Sequence, residues 1–265
     1  MYNPLQLALK YTRYLFTAQS GKGHGIHSPF VYDFIWKVLN NPEQPYAFKQ
    51  VEQLRQKLLG STEIISVDDF GAGSQKHTSR NRSIGDIARF SAKPAKYARV
   101  LYRLVNHYGC RNIIELGTSL GISTAYMALG NTGSRVITCE GSAALAEKSR
   151  EHFNSLHLDN ITVLAGEFEQ TLPQALKEMP EADLVFIDGN HRYEPTIRYF
   201  NELIPHLHND SILVFDDIHW SREMEQAWAE IKQHHDISET IDLFFIGIVF
   251  FRSEQKVKQH FTIRY

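Results

Sequence analysis

Two rhythms of hydrophobic and polar residues divide the chain near residue 90. Before that point apolar positions recur three or four apart between polar stretches, which predicts helices joined by loops. In HSPFVYDFIWKVLN, Ser28 stands where an N-cap belongs and Pro29 at the first helical position. YAFKQVEQLRQKLLG repeats the spacing and stops at Gly60. SGKGHGIHSP and DDFGAGSQKHTSRNRS read as loops rich in Gly, Ser, His and basic groups.

From about residue 94 apolar strands alternate with amphipathic helices. A helix over 95–108 leads into a strand at 112–116. Helix 122–129, strand RVITCE, helix 142–156, strand ITVLAG and helix 169–178 follow. Strand ADLVFIDG, helix 194–206, strand SILVFDD and helix 221–234 complete the alternation, and ETIDLFF, GIVFFR and HFTIRY make a strand-rich end. Apolar strands separated by helices predict a mainly parallel sheet covered on both faces, an α/β fold. The short link at Gly247 predicts an antiparallel hairpin closing one edge. The expected division is a helical extension over residues 1–90, a substrate-selecting or lid region, and a main domain over 91–265.

Composition changes this picture little. The 265 residues are 43% hydrophobic and 22% charged with net charge −2, as in an ordinary globular protein. Charge is unevenly spread, however. Residues 1–32 hold no acid, and Ser74–Arg111 hold nine Lys or Arg against one acid, Asp86. Lys93, Lys96, Arg99 and Arg103 are spaced to form one helical stripe, which is either a solvated face or a surface for RNA phosphates. Base-stacking aromatics are not interleaved, so RNA is the second choice of partner. Cys110 and Cys139 have neither metal-site nor disulfide spacing. Lys10 and Arg13 interrupt any signal-peptide core, and no apolar run is long enough to span a membrane. A cytoplasmic protein is expected.

In open sheets of this kind ligands sit beyond the carboxyl ends of the strands. Those ends read Glu115-Leu-Gly117, Glu140-Gly141, Gly166-Glu167-Phe168, Asp188-Gly-Asn-His191 and Asp216-Asp217-Ile-His219. Five consecutive strands ending in acids or glycines mark a functional cleft. The first turn, ELGTSLGIST, is not the dinucleotide fingerprint. Glu115 takes the place of the first glycine, where a carboxylate would repel a pyrophosphate. Glu140 is placed to accept from both hydroxyls of a ribose. A ligand with a charged amino-acid end, a ribose and a base fits S-adenosylmethionine.

At these residues the chain resembles class I S-adenosylmethionine-dependent methyltransferases over 94 to about 252. ELGTSLGIST, VITCEGS, LAGEFEQTL and DLVFIDGNHRYEPT are similar to that family's first four motifs, in order. The resemblance implies a Rossmann-like, doubly wound, seven-stranded sheet with an antiparallel last strand. It also implies that Gly117 and its neighbours Glu115, Thr118, Ser119, Gly121 and Ser123 line the methionine portion of the cofactor. Glu140 with Gly141 would hold the ribose, Gly166, Glu167 and Phe168 would flank the adenine, and Asp188 would lie beside the cofactor.

Asp188, Asp216 and Asp217 end two strands that neighbour one another in this fold. Three carboxylates converging without a basic partner call for a cation, and oxygen ligands suit Mg²⁺, Mn²⁺ or Ca²⁺. The group resembled here is the cation-dependent, catechol-type O-methyltransferases, in which the metal holds two oxygens of the acceptor. That group carries a Lys base about three residues after the first Asp, where this chain has His191. His191 with Asp188 is the catalytic candidate, and His191 is open to the roles of base, metal ligand or cofactor contact. The plainer alternative has Asp188 bonding the cofactor and Asp216-Asp217 capping the helix that begins near Ser221.

The expected activity is methylation of a hydroxyl oxygen on a small molecule. An RNA-modifying enzyme and a non-catalytic cofactor-binding module are the other readings, and a homodimer is left open. His24 and His27 are either part of a lid or solvated, and the adjacent acids Asp68 and Asp69 pose the same choice.

Overall fold

A computed structural model describes residues 1–68 and 80–265 of the chain. Asp69 and Lys76, at one end of the basic run, lie outside the described residues. In chain order the elements are α1 (Pro4–Thr17), α2 (Pro29–Phe34), α3 (Tyr46–Leu59), β1 (Ile64–Ser66), β2 (Asn81–Ser83), α4 (Ile84–Phe90) and α5 (Ala95–Tyr108). They continue with β3 (Asn112–Leu116), α6 (Ile122–Gly130), β4 (Arg135–Glu140), α7 (Ala143–Ser155), β5 (Ile161–Ala165) and α8 (Phe168–Glu178). The last are β6 (Ala182–Ile187), α9 (Tyr193–Leu203), β7 (Leu207–Asp216), α10 (Arg222–Ile231), β8 (Glu239–Asp242), β9 (Ile246–Phe250) and β10 (Gln259–Thr262). Two compact units result, one of residues 1–41 with 181–265 and one of residues 42–180.

In the 42–180 unit, β3, β4 and β5 are parallel with β4 in the middle. Ile113, Ile114, Val136 and Ile137 are fully buried, as strands covered on both faces require. Helices α3 and α6 pack together, as do α5 and α6. Of the predicted basic stripe, Lys96, Arg99 and Arg103 lie on α5. Lys93 precedes α5, and the guanidinium groups of Arg99 and Arg103 lie over the ring of Phe48 at 5.1 and 5.6 Å. Arg103 is buried. A guanidinium is planar and weakly hydrated, so an aromatic face on a neighbouring helix competes well with water for it. The β1–β2 ribbon lies where only helices and loops are expected from the sequence, because Asn81-Arg82-Ser83 carries no apolar alternation.

In the other unit the strand order is β10-β8-β9-β7-β6. β6 and β7 are parallel, as are β8 and β10, while β9 runs antiparallel to both β7 and β8. The predicted hairpin is β8–β9, but it does not close an edge. β9 inserts beside β7, and β10 joins the far side of β8. With β10, and leaving the β1–β2 ribbon aside, the described residues of the two units carry eight strands rather than seven. Gly247 is not in the link either. It pairs with Phe215 inside β9, where a Cβ would stand 2.8 Å from the ring of Trp228. The glycine makes room for the indole. At the N-terminal end, Ser28 caps α2 by accepting from Val31 N, with Pro29 next, as the sequence predicts. Helix α1 buries Tyr14 against Phe244, with Leu7, Tyr11 and Leu15 alongside. No described helix is long and apolar enough to cross a membrane.

Candidate active site

The turn after β3 is built around a buried acid. Glu115 is fully buried, and its carboxylate accepts from Ser123 (2.6 Å), Thr124 and Thr138 (2.7 Å). Thr138 faces it because β3 and β4 pair with Glu115 opposite Thr138. The Thr118 hydroxyl lies 2.6 Å from that of Thr138 and extends the chain of hydroxyls. Burial raises the Glu115 pKa from 4.5 to about 7, although the three hydroxyls pull it back. Glu115 and Ser123 therefore brace the base of the turn.

The backbone above Glu115 takes conformations that favour glycine. Gly117 has φ +107° and donates to Cys139 O, while Gly121 has φ +81° and opens α6. Ser119, at φ +49°, donates its N–H to Glu140 Oε2 at 2.7 Å. Ser142 N donates to Glu140 Oε1 at 2.9 Å. Burial pushes the Glu140 pKa up, and the backbone donors at Ser142, Ser119, Thr118 and Gly141 pull it down. Backbone amides thus hold both oxygens of the Glu140 carboxylate in place at the end of β4. Gly166, at φ +142°, donates to Glu140 O, and Glu167 and Phe168 open α8. Glu167 is exposed and Phe168 half-buried. These residues fit a ribose and a flat base.

Beyond β6 and β7, within the other unit, a second group assembles. One ligand atom each from Asp188, His191 and Asp216 lie within 4.8 Å of one another. His191 Nε2 is 3.6 Å from Asp188 Oδ1, and Asp216 is buried. Asn190 (φ +66°) and His191 (φ +31°) turn the chain back here, and Asn190 Nδ2 donates to Tyr199 OH at 3.2 Å. The two carboxylates are oxygen donors of the kind that suits Mg²⁺ or Mn²⁺, and the His191 imidazole stands beside them. Asp217 is not in this group. Its φ of +53° turns it out of line with β7, and its N–H donates to Phe245 O at 2.6 Å. The helix-capping alternative for Asp216-Asp217 does not hold, because Ser221 caps α10 by accepting from Met224 N at 3.1 Å. His24 and His27 are exposed.

Residues 114–218 match the family model for a methyltransferase domain. Over that stretch the chain is similar to methyltransferase domains. Over 128 residues the chain is 27% identical to an uncharacterized protein of Acanthamoeba polyphaga mimivirus, covering 44% of this chain. That match spans 58% of the relative, less than two thirds of its length. Among solved structures, a SAH-bound methyltransferase from Podospora anserina has a TM-score of 0.58 at 13% identity, covering 96% of this chain and 98% of that one. An O-methyltransferase from Bacillus cereus in complex with SAH gives 0.53 at 20%, covering 79% and 93%. The O-methyltransferase TomG from Streptomyces achromogenes, in complex with SAM, gives 0.55 at 16%, covering 84% and 95%. At these identities the likeness is one of fold, and it agrees with the α/β class expected.

The turns after β3 and β4 also have supports that were not singled out from sequence. Thr138 and Ser142 brace Glu115 and Glu140. Thr138 interrupts an otherwise apolar strand, a signal that was legible. Ser142 acts through its backbone, so no side-chain pattern reveals it.

Proposed function

We propose that the chain is an S-adenosylmethionine-dependent O-methyltransferase acting on a hydroxyl of a small molecule, with a divalent cation at Asp188 and Asp216. The observation that carries this is the gathering of Asp188, Asp216 and His191 in a chain whose β3 and β4 ends hold the Glu115 and Glu140 arrangement. The SAM and SAH complexes of its structural neighbours support the choice of cofactor. When bound, that cofactor supplies a methyl group already activated on a sulfonium.

The work of the chain is then alignment and proton removal. Glu140 accepts from the ribose hydroxyls, and the 117–121 turn fixes the amino-acid end. Asp188 and Asp216 would hold the cation, and the chemistry it would supply is a lowered pKa for an acceptor hydroxyl. His191 takes the hydroxyl proton, with Asp188 beside it to keep the ring oriented. Arg99 and Arg103, folded over Phe48, are withdrawn from the stripe that suggested RNA.

Transfer of labelled methyl from S-adenosylmethionine to a panel of catechols and to bulk tRNA, in EDTA and in Mg²⁺, tests this. Mg²⁺-dependent transfer to a catechol, lost in Asp216→Asn, is expected. Transfer to tRNA alone, or transfer to catechols unaffected by EDTA, contradicts it.

A further inference from the structure

We infer that helix α1 holds the turn following Asp216 through Glu225 and His219, making both positioning residues for the acid cluster. This rests on the cation reading proposed for Asp188 and Asp216. Every group involved belongs to the unit of residues 1–41 and 181–265.

The turn itself is short. Asp217 N is held by Phe245 O, and Trp220 N donates to Asp217 O at 2.9 Å. His219 lies between those two residues, three beyond Asp216. Its Nδ1 is 3.1 Å from Glu225 Oε1 and its Nε2 is 2.7 Å from Asp242 Oδ2. An imidazole with a carboxylate at each nitrogen donates from both, which fixes the ring in its plane. The ring of Phe244 stacks against it, with centroids 5.1 Å apart and planes at 29°. Asp242 is anchored in turn, since its Oδ1 accepts from Phe244 N at 2.8 Å.

Glu225 carries the link to α1. It accepts from Tyr2 OH at 2.6 Å and from Lys10 Nζ at 2.9 and 3.0 Å. Tyr2, two residues before α1, also donates its N–H to Trp220 O at 3.1 Å, so the segment leading into α1 grips the turn by backbone as well as by side chain. Two cations and two carboxylates close the network without net charge. An isolated surface ion pair contributes little, but here the ring is clamped on both edges and one face, and the turn has few ways to move. Supports of this type orient a ligating carboxylate and raise its affinity for a metal.

Mn²⁺ binding to the full-length chain, followed by the electron paramagnetic resonance of free Mn²⁺, tests the inference. S-adenosylhomocysteine affinity is measured in parallel on the same variants. Wild type should bind Mn²⁺ and Asp188→Asn should not. Glu225→Ala should weaken Mn²⁺ binding about tenfold and leave S-adenosylhomocysteine binding unchanged, with Glu225→Gln recovering much of the loss. Tyr2→Phe, which removes one oxygen at the edge of the network, should show a smaller loss in the same direction. It decides the matter if Glu225→Ala fails to fold. Folded Glu225→Ala and Tyr2→Phe that bind Mn²⁺ as wild type does would overturn the inference and leave α1 as packing alone. Wild type and Asp188→Asn alike failing to bind would instead remove the cation reading, and the inference with it.

Discussion

The strands of both units end in acids, yet the two sets of acids are handled in opposite ways. At β3 and β4, Glu115 and Glu140 are buried and held by hydroxyls and amides of their own unit. There the carboxylates fix the backbone of the two turns. At β6 and β7, Asp188 and Asp216 are brought toward each other and toward an imidazole. Like charges so gathered repel, and a cation between them relieves the repulsion. One set is braced by its own unit, and the other is, on the function proposed above, a place for added charge.

The largest effect should come from breaking the braced side. Gly121→Ala adds a Cβ 2.5 Å from the Phe153 ring at a φ of +81°. Backbone strain and overpacking together should cost about 4 kcal/mol in urea unfolding. Gly25→Ala has nearly the same φ, +78°, with open space around it, and should cost only about 1 kcal/mol, so the pair separates clash from strain.

Next is the pH dependence that Glu115 imposes. Burial raises its pKa to about 7 in the folded chain, so the folded state keeps a proton that the unfolded chain releases from 4.5 upward. Its contribution to stability is therefore full below about 4.5 and is lost as pH rises through about 7. Glu115→Gln cannot ionise and should flatten this fall by roughly 3 kcal/mol in denaturant midpoints taken from pH 4.5 to 7.5.

The comparison sharpens at the ligand. Glu140→Ala should weaken S-adenosylhomocysteine about a hundredfold, the value of two hydrogen bonds to a charged group. Asp216→Asn should leave that affinity unchanged. The smallest effect should be Arg135→Ala. It breaks the Arg135–Glu178 pair at 3.0 Å, and solvent screens both partners, so a loss under about 0.5 kcal/mol is expected in urea unfolding.

Local rules made much of the fold legible in the sequence. Helix 95–108, strand 112–116 and the Ser28–Pro29 helix start all follow from periodicity and capping, which a single sequence displays. What was not legible depends on a distant partner. Spacing put Arg99 and Arg103 on one stripe, but only the packing of the helices reveals Phe48 as the surface they cover. Gly247 looked like a turn residue because Trp228, which requires it, lies in another element. Asp217 was grouped with Asp216 by adjacency, and a positive φ at that single residue separates them. The acids themselves were visible as chemistry. Which of them brace and which of them gather became visible only with Thr138 and the 216–220 turn in place.

Calorimetric titration of S-adenosylhomocysteine into wild type and Glu140→Ala, each in EDTA and in Mg²⁺, tests the central claim most directly. Wild type should show one site of micromolar affinity, about a hundredfold weaker in Glu140→Ala. No binding to wild type in either buffer, or equal binding to both chains, would contradict it.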